Sequence, residues 1–233
     1  MKKLAGVTYI LLFIVSFFAY SAGLRLEQTR LILNSTKSNA TFTIVNDDLN
    51  PYLIQTSVTE QLEGAKSLYF AVTPPLFRLD ANSKFSAHVL LKNERELPVD
   101  RESLFFLNTR AIPAPKHPNE QKNDAKRSFV TNIVIKVFYR PHQLAVPNNA
   151  VFQQVTLKKQ GKQWVFNNPT PYYLTVVNLK YNQQNCRKSL ILTPFSDTEI
   201  TGLQGHISQA SWQMINDFGG LSDIIIYPPV KSK

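Results

Sequence analysis

The sequence predicts an all-β protein of two domains behind an export leader. Three observations carry this. Short runs rich in Val, Ile, Thr, Tyr and Phe recur from residue 24 to residue 227, with turn residues between them and no long amphipathic helix. The run pattern stops at a short segment bounded by Pro141 and Pro147 and then restarts. The first 23 residues combine two cations, an apolar stretch and small residues.

In that opening segment Lys2 and Lys3 precede an apolar run over residues 4–20, and Ser21, Ala22 and Gly23 close it. This is the layout of a secretory signal peptide, cleaved between Ser21 and Leu24. An uncleaved membrane anchor is the competing reading, since the run is nearly long enough to span a bilayer. The small residues and the mixed chain that follows favour cleavage, so residues 1–22 are assigned to the leader. The formal charge of +10 then falls to +8 as Lys2 and Lys3 leave. The remaining cations are scattered and do not alternate with aromatics as a base-stacking platform requires, so nucleic acid is not an expected partner. Cys186 is the only cysteine, which rules out an internal disulfide even in an oxidising compartment.

The first domain, residues 23–141, opens with candidate strands at 24–33, 40–46 and 52–60, separated by Asn34-Ser35 and by Asn46-Asp47-Asp48 with Asn50-Pro51. Residues 69–73 and 76–79 flank Pro74-Pro75, the mark of a strand that breaks, resumes and changes sheets. Strands at 84–91, 104–112 and 129–141 complete the set. Seven or eight short strands with regular turns indicate a β-sandwich of immunoglobulin type. Residues 113–127 are polar and proline-bearing and read as a mobile hairpin loop. In the second domain, residues 142–233, candidate strands lie at 151–157, 164–166, 172–179, 189–192, 207–216 and 223–227. The stiff connection from Pro141 to Pro147 favours a fixed angle and a cleft between the domains.

Residues 129–141, FVTNIVIKVFYRP, are the most unusual stretch. Phe129, Thr131, Ile133, Ile135, Val137 and Tyr139 share one face at a period of two. The other face mixes apolar side chains with Lys136 and Arg140. One reading is a core strand with Lys136 as a gatekeeper charge. The other is an edge held open for a partner, because a long apolar edge left bare would aggregate.

Six ordered motifs take the reading further. They are Thr29-Arg30-Leu31-Ile32, the run TPPLFRL at 73–79, LPVDRESLFFLNTRAIP at 97–113, IKVFYRP at 135–141, NPTPYY at 168–173 and INDFG at 215–219. Together they closely resemble the periplasmic pilus chaperones, over essentially all of the chain after the leader. The resemblance implies two immunoglobulin-like domains in an L or boomerang arrangement. It implies pilus (fimbrial) subunits as partners, which lack a strand and borrow one from the chaperone before delivery to an outer-membrane usher. Phe129, Thr131, Ile133 and Ile135 correspond to the lent strand, with Thr131 a weaker hydrophobe than the pattern prefers. Arg30 and Lys136 match the two cations that grip the subunit's C-terminal carboxylate. Arg78, Glu102 and Asp217 match an ion network that joins the domains, with Asp100 and Arg101 as supporting turn residues. The loop before the lent strand carries no cysteine, which fits the short-loop group that builds rod-like pili. The resemblance implies no catalytic residue, metal, cofactor or small-molecule substrate, and a periplasmic location. Self-pairing of the free protein through its open strand stays open.

Two other classes are less well supported. An exported hydrolase would draw on His88, His117, His142 or His206 with a serine, yet no G-x-S-x-G elbow occurs and no histidines stand at metal-ligand spacing. A pilus subunit or adhesin of this architecture would be expected to carry a disulfide and a single domain.

Overall fold

A computed structural model describes residues 23–93, 95–114, 129–201, 203 and 205–229. The leader and the hairpin loop at 115–128 lie outside the described residues. No helix among those described is long and apolar enough to cross a membrane.

The first domain contains β1 (Leu24–Leu26), β2 (Arg30–Asn34), β3 (Asn39–Asn46), β4 (Tyr52–Thr59), β5 (Phe70–Thr73), β6 (Leu76–Leu79), β7 (Ser83–Leu91), β8 (Ser103–Pro113) and β9 (Thr131–Arg140). They form two facing sheets, ordered β1-β3-β7-β5 and β2-β9-β8-β4-β6. Alternate side chains of both sheets, among them Leu33, Phe42, Ile54, Leu107 and Val137, close the core between them. The break at Pro74-Pro75 changes sheets as expected: β5 pairs with β7, whereas β6 pairs with β4.

The second domain contains α1 (Asn149–Phe152), β10 (Thr156–Gln160), β11 (Gln163–Asn168), β12 (Leu174–Tyr181), β13 (Gln184–Asn185), β14 (Leu190–Leu192), β15 (Ser196–Glu199), β16 (Ala210–Met214) and β17 (Ile225–Tyr227). A three-stranded sheet, β10-β11-β15, packs on a five-stranded one in which β12 pairs with β13, β14 and β16, and β16 with β17. Phe166 and Trp212 meet edge-to-face at 5.0 Å across this core. The protein is therefore all-β with two immunoglobulin-like sandwiches.

Two local expectations change. The strand expected at 24–33 is two strands, because the chain crosses from one sheet to the other at residues 27–29. Glu27 N still donates to Thr43 O at 3.0 Å, and the Gln28 side chain accepts from Thr43 N at 2.9 Å. β2 then starts at Arg30 beside β9. The strand expected at 151–157 begins instead as the short helix α1, because the Asn148 side chain caps Val151 N at 3.2 Å and turns the backbone before β10.

Candidate functional site

β9 has two halves with different surroundings. Along its whole length it is paired antiparallel with β8, from Thr131 opposite Ala111 to Tyr139 opposite Ser103. On its other side it is paired with β2 only from Lys136, opposite Arg30, to Arg140, opposite Asn34, and this pairing is parallel. Residues 131–135 therefore border a lane, about 17 Å long at roughly 3.3 Å per residue, in which no strand lies among the described residues. The lane is unfilled there because β1, which could have continued β2 backwards, has crossed to the opposite sheet.

The side chains follow the same division. Val137 and Tyr139 are fully inside the first core, and Ile135, 8% exposed, belongs to that core as well. Ile133 is half-buried, Thr131 is exposed and Phe129 is 76% exposed. Ile135, expected among the lent side chains, is thus already committed to its own domain, while Phe129, Thr131 and Ile133 project past the end of that core. The opposite face of β9 turns to the second domain: Phe138 is buried, with its ring centroid 6.3 Å from that of Tyr173. This is why both faces of the stretch read as partly apolar.

Arg30 and Lys136 sit side by side in register at the point where the lane ends. Lys136 Nζ donates to Thr175 Oγ1 of the second domain at 3.2 Å. The Arg30 guanidinium lies 6.0 Å from the Phe138 ring centroid, and its buried Nε has no hydrogen-bond partner among the described residues. Neither cation forms a salt bridge among the described residues. Burial lowers the Arg30 pKa from its ordinary value, against the pull of Asp217 and Glu102. Burial also lowers that of Lys136, and the neighbouring charge of Arg30 adds to the effect. Two adjacent half-buried cations, neither in a salt bridge among the described residues, have the charge and spacing that suit an anion.

The ion network that joins the domains is centred on Arg140. Its Nε donates to Glu102 Oε1 at 2.7 Å, and its Nη1 and Nη2 donate to Asp217 Oδ2 and Oδ1 at 2.6 and 2.9 Å. Glu102 Oε2 accepts from Tyr173 N at 2.9 Å, so this carboxylate ties both domains. Burial pushes the Glu102 carboxyl up, opposed by Arg140, while the two carboxylates outweigh burial to hold the Arg140 guanidinium charged. Arg78, the expected cation of this network, instead pairs with Asp80 at 2.7 Å on the exposed surface. It lies on β6, three strands from β9 in the same sheet, about 14 Å at roughly 4.8 Å per strand. Arg101 pairs with Asp100 as a turn residue and also stacks over Phe195 of the second domain, 4.9 Å from the ring centroid.

Comparison with known proteins gives the same architecture a family. Residues 23–145 match the model described as "Pili and flagellar-assembly chaperone, PapD N-terminal domain", and residues 150–225 match "Pili assembly chaperone PapD, C-terminal domain". The chain belongs to the PapD-like pilus chaperones. Among PapD-like relatives, chaperone protein FimC of Escherichia coli is 31% identical over 220 residues, 94% of this chain and 89% of that protein. Chaperone protein PmfD of Proteus mirabilis is 33% identical over 211 residues, covering 85% and 81%. Of solved PapD-like structures, the SafB chaperone of Salmonella enterica, in complex with the SafA pilin, has a TM-score of 0.77 at 26% identity, covering 88% of this chain and 96% of that one. The E. coli chaperone DraB gives 0.76 at 29%, covering 88% and 97%.

Proposed function

We propose that this protein is a periplasmic chaperone that lends the open edge of β9 to fimbrial subunits, holds their C-terminal carboxylate on Arg30 and Lys136, and passes them to an outer-membrane usher without catalysing a reaction. The observation that carries this reading is the lane beside residues 131–135, unfilled among the described residues, that ends on two cations with no salt bridge there.

The lane also favours a direction. A subunit strand added beside β9 and antiparallel to it would leave its C-terminus at the Thr131 end, far from both cations. A strand added parallel, in line with β2, brings its C-terminus to Arg30 and Lys136. At formal charges the junction carries Arg30, Lys136 and Arg140 against Glu102 and Asp217, three against two, a net +1 that one further carboxylate neutralises. Strand addition supplies main-chain hydrogen bonds to both partners, a mode of recognition for which chaperone–pilin pairing is itself a named example. Phe129 and Ile133 add apolar contact worth roughly 1.5–3 kcal/mol for each side chain fully buried.

The test is co-expression of the tagged chain in a periplasm with each fimbrial subunit of its source organism, followed by co-purification. Arg30→Ala and Lys136→Ala are expected to lose the subunit while the free protein still folds. Wild-type retention by both variants would remove the carboxylate assignment.

A further inference from the structure

The loop that supplies Asp217 also carries Phe218, which at 91% is the most exposed large hydrophobic residue among those described. The loop is held firmly without help from that ring. Asn216 Oδ1 accepts from Phe218 N at 3.0 Å and from Gly220 N at 2.9 Å, Asn216 N donates to Gly220 O at 2.9 Å, and Asp217 is clamped by both terminal nitrogens of Arg140. Gly219 has φ of +82°, and a Cβ there would lie 2.9 Å from Thr29 Oγ1, so the loop is pressed against the residue that precedes Arg30. A loop held by these bonds thus presents a bare aromatic ring next to the glycine that abuts Thr29, the residue before the cation on which the β9 lane ends. Leu221, also more than half exposed, follows on the same loop.

We propose that Phe218 is a subunit-contacting residue, an apolar platform on the second domain for the side chains of the subunit's last residues as their carboxylate reaches Arg30 and Lys136. This rests on the chaperone reading above and extends it. Two features favour a subunit terminus as the occupant. The lane directs a parallel strand's end toward Arg30, and the loop abuts Thr29. The ring then supplies apolar contact next to the charge pairing, the arrangement in which buried aromatics dominate an interface. Fold stability does not require the ring, because an exposed ring makes almost no internal contact.

The probe is the fimbrial subunit that co-purifies most strongly with the wild-type chain. Phe218→Ala is expected to speed dissociation of that complex about tenfold, Phe218→Lys at least as much, and Phe218→Tyr far less, with the melting temperature of the free chain unchanged. Wild-type dissociation of both Phe218→Ala and Phe218→Lys, alongside loss of the complex in Lys136→Ala, would overturn the Phe218 assignment and leave the chaperone reading standing. Retention of the subunit by Arg30→Ala and Lys136→Ala would instead defeat the underlying reading, and this one with it.

Discussion

Removing the Arg140 side chain leaves Glu102 and Asp217 facing each other at the domain junction with no cation between them. Glu102 and Arg140 are each only 3% exposed, so water cannot readily replace the lost partner. Breaking a buried pair by removing one member costs about 3–5 kcal/mol, far more than an intact pair contributes relative to an apolar substitute. Arg140→Ala is therefore expected to lower unfolding stability in urea by about that amount, whereas Arg78→Ala, at an exposed pair, should change it by less than about 1 kcal/mol. Equal effects of the two substitutions would place the junction elsewhere. The comparison also marks what the residues alone could convey. Glu102 and Asp217 were legible from their motifs, but Arg78 and Arg140 are both arginines in recognisable runs. The choice between them depends on sheet order, which puts Arg78 on the far edge strand and Arg140 on the strand facing the second domain.

At the scale of the element, β9 is one strand with two tasks, and the division falls at Ile135. Towards Arg140 its odd-numbered side chains build the first core; towards Phe129 the same face leaves that core, from a half-buried Ile133 to an exposed Thr131 and Phe129. Ile135→Ala should accordingly cost about 2–4 kcal/mol of stability by opening a cavity. Thr131→Val should leave the fold intact and slow subunit dissociation a few-fold, since it replaces a hydroxyl with a methyl group worth about 0.8 kcal/mol when buried. A destabilised Thr131→Val, or an Ile135→Ala of wild-type stability, would move the division. The period-two pattern made this strand readable, and likewise β3, β4, β7 and β8. It failed where neighbours rather than residues decide: nothing in LRLEQTRLIL marks a change of sheet, and β15, Ser-Asp-Thr-Glu, is a polar edge strand whose only reason to be extended is its pairing with β11. The α1 turn was hidden because Val151 and Phe152 suit a strand equally well, and only the Asn148 cap settles the matter.

For the whole molecule, net positive charge was plain from composition, but its important part is local: two cations held half-buried where two domains meet, with no salt bridge among the described residues. That arrangement gives the free protein and its complex opposite responses to alkali. In the free chain, burial and Arg30 lower the Lys136 pKa below its unfolded value, so folding with Lys136 charged carries a cost. The cost is fully present below the folded pKa, begins to fall as pH rises past it and is gone only above the ordinary lysine value, so this group's contribution to fold stability becomes more favourable across that window. The bound carboxylate has the reverse preference. It needs the ammonium charged, so affinity is full below the lowered pKa of the free chain and falls as pH rises through it. Acid weakens the complex separately, once the subunit's terminal carboxyl protonates near about 3.5. Dissociation rates and free-chain melting temperatures measured from neutral to alkaline pH should therefore diverge, the complex releasing while the Lys136 contribution to the fold improves. Lys136→Arg separates this ammonium from every other titrating group, because a guanidinium stays charged throughout that range. That variant should hold its subunit to higher pH than the wild type; release at the same pH would mean that the Lys136 charge does not bind the partner.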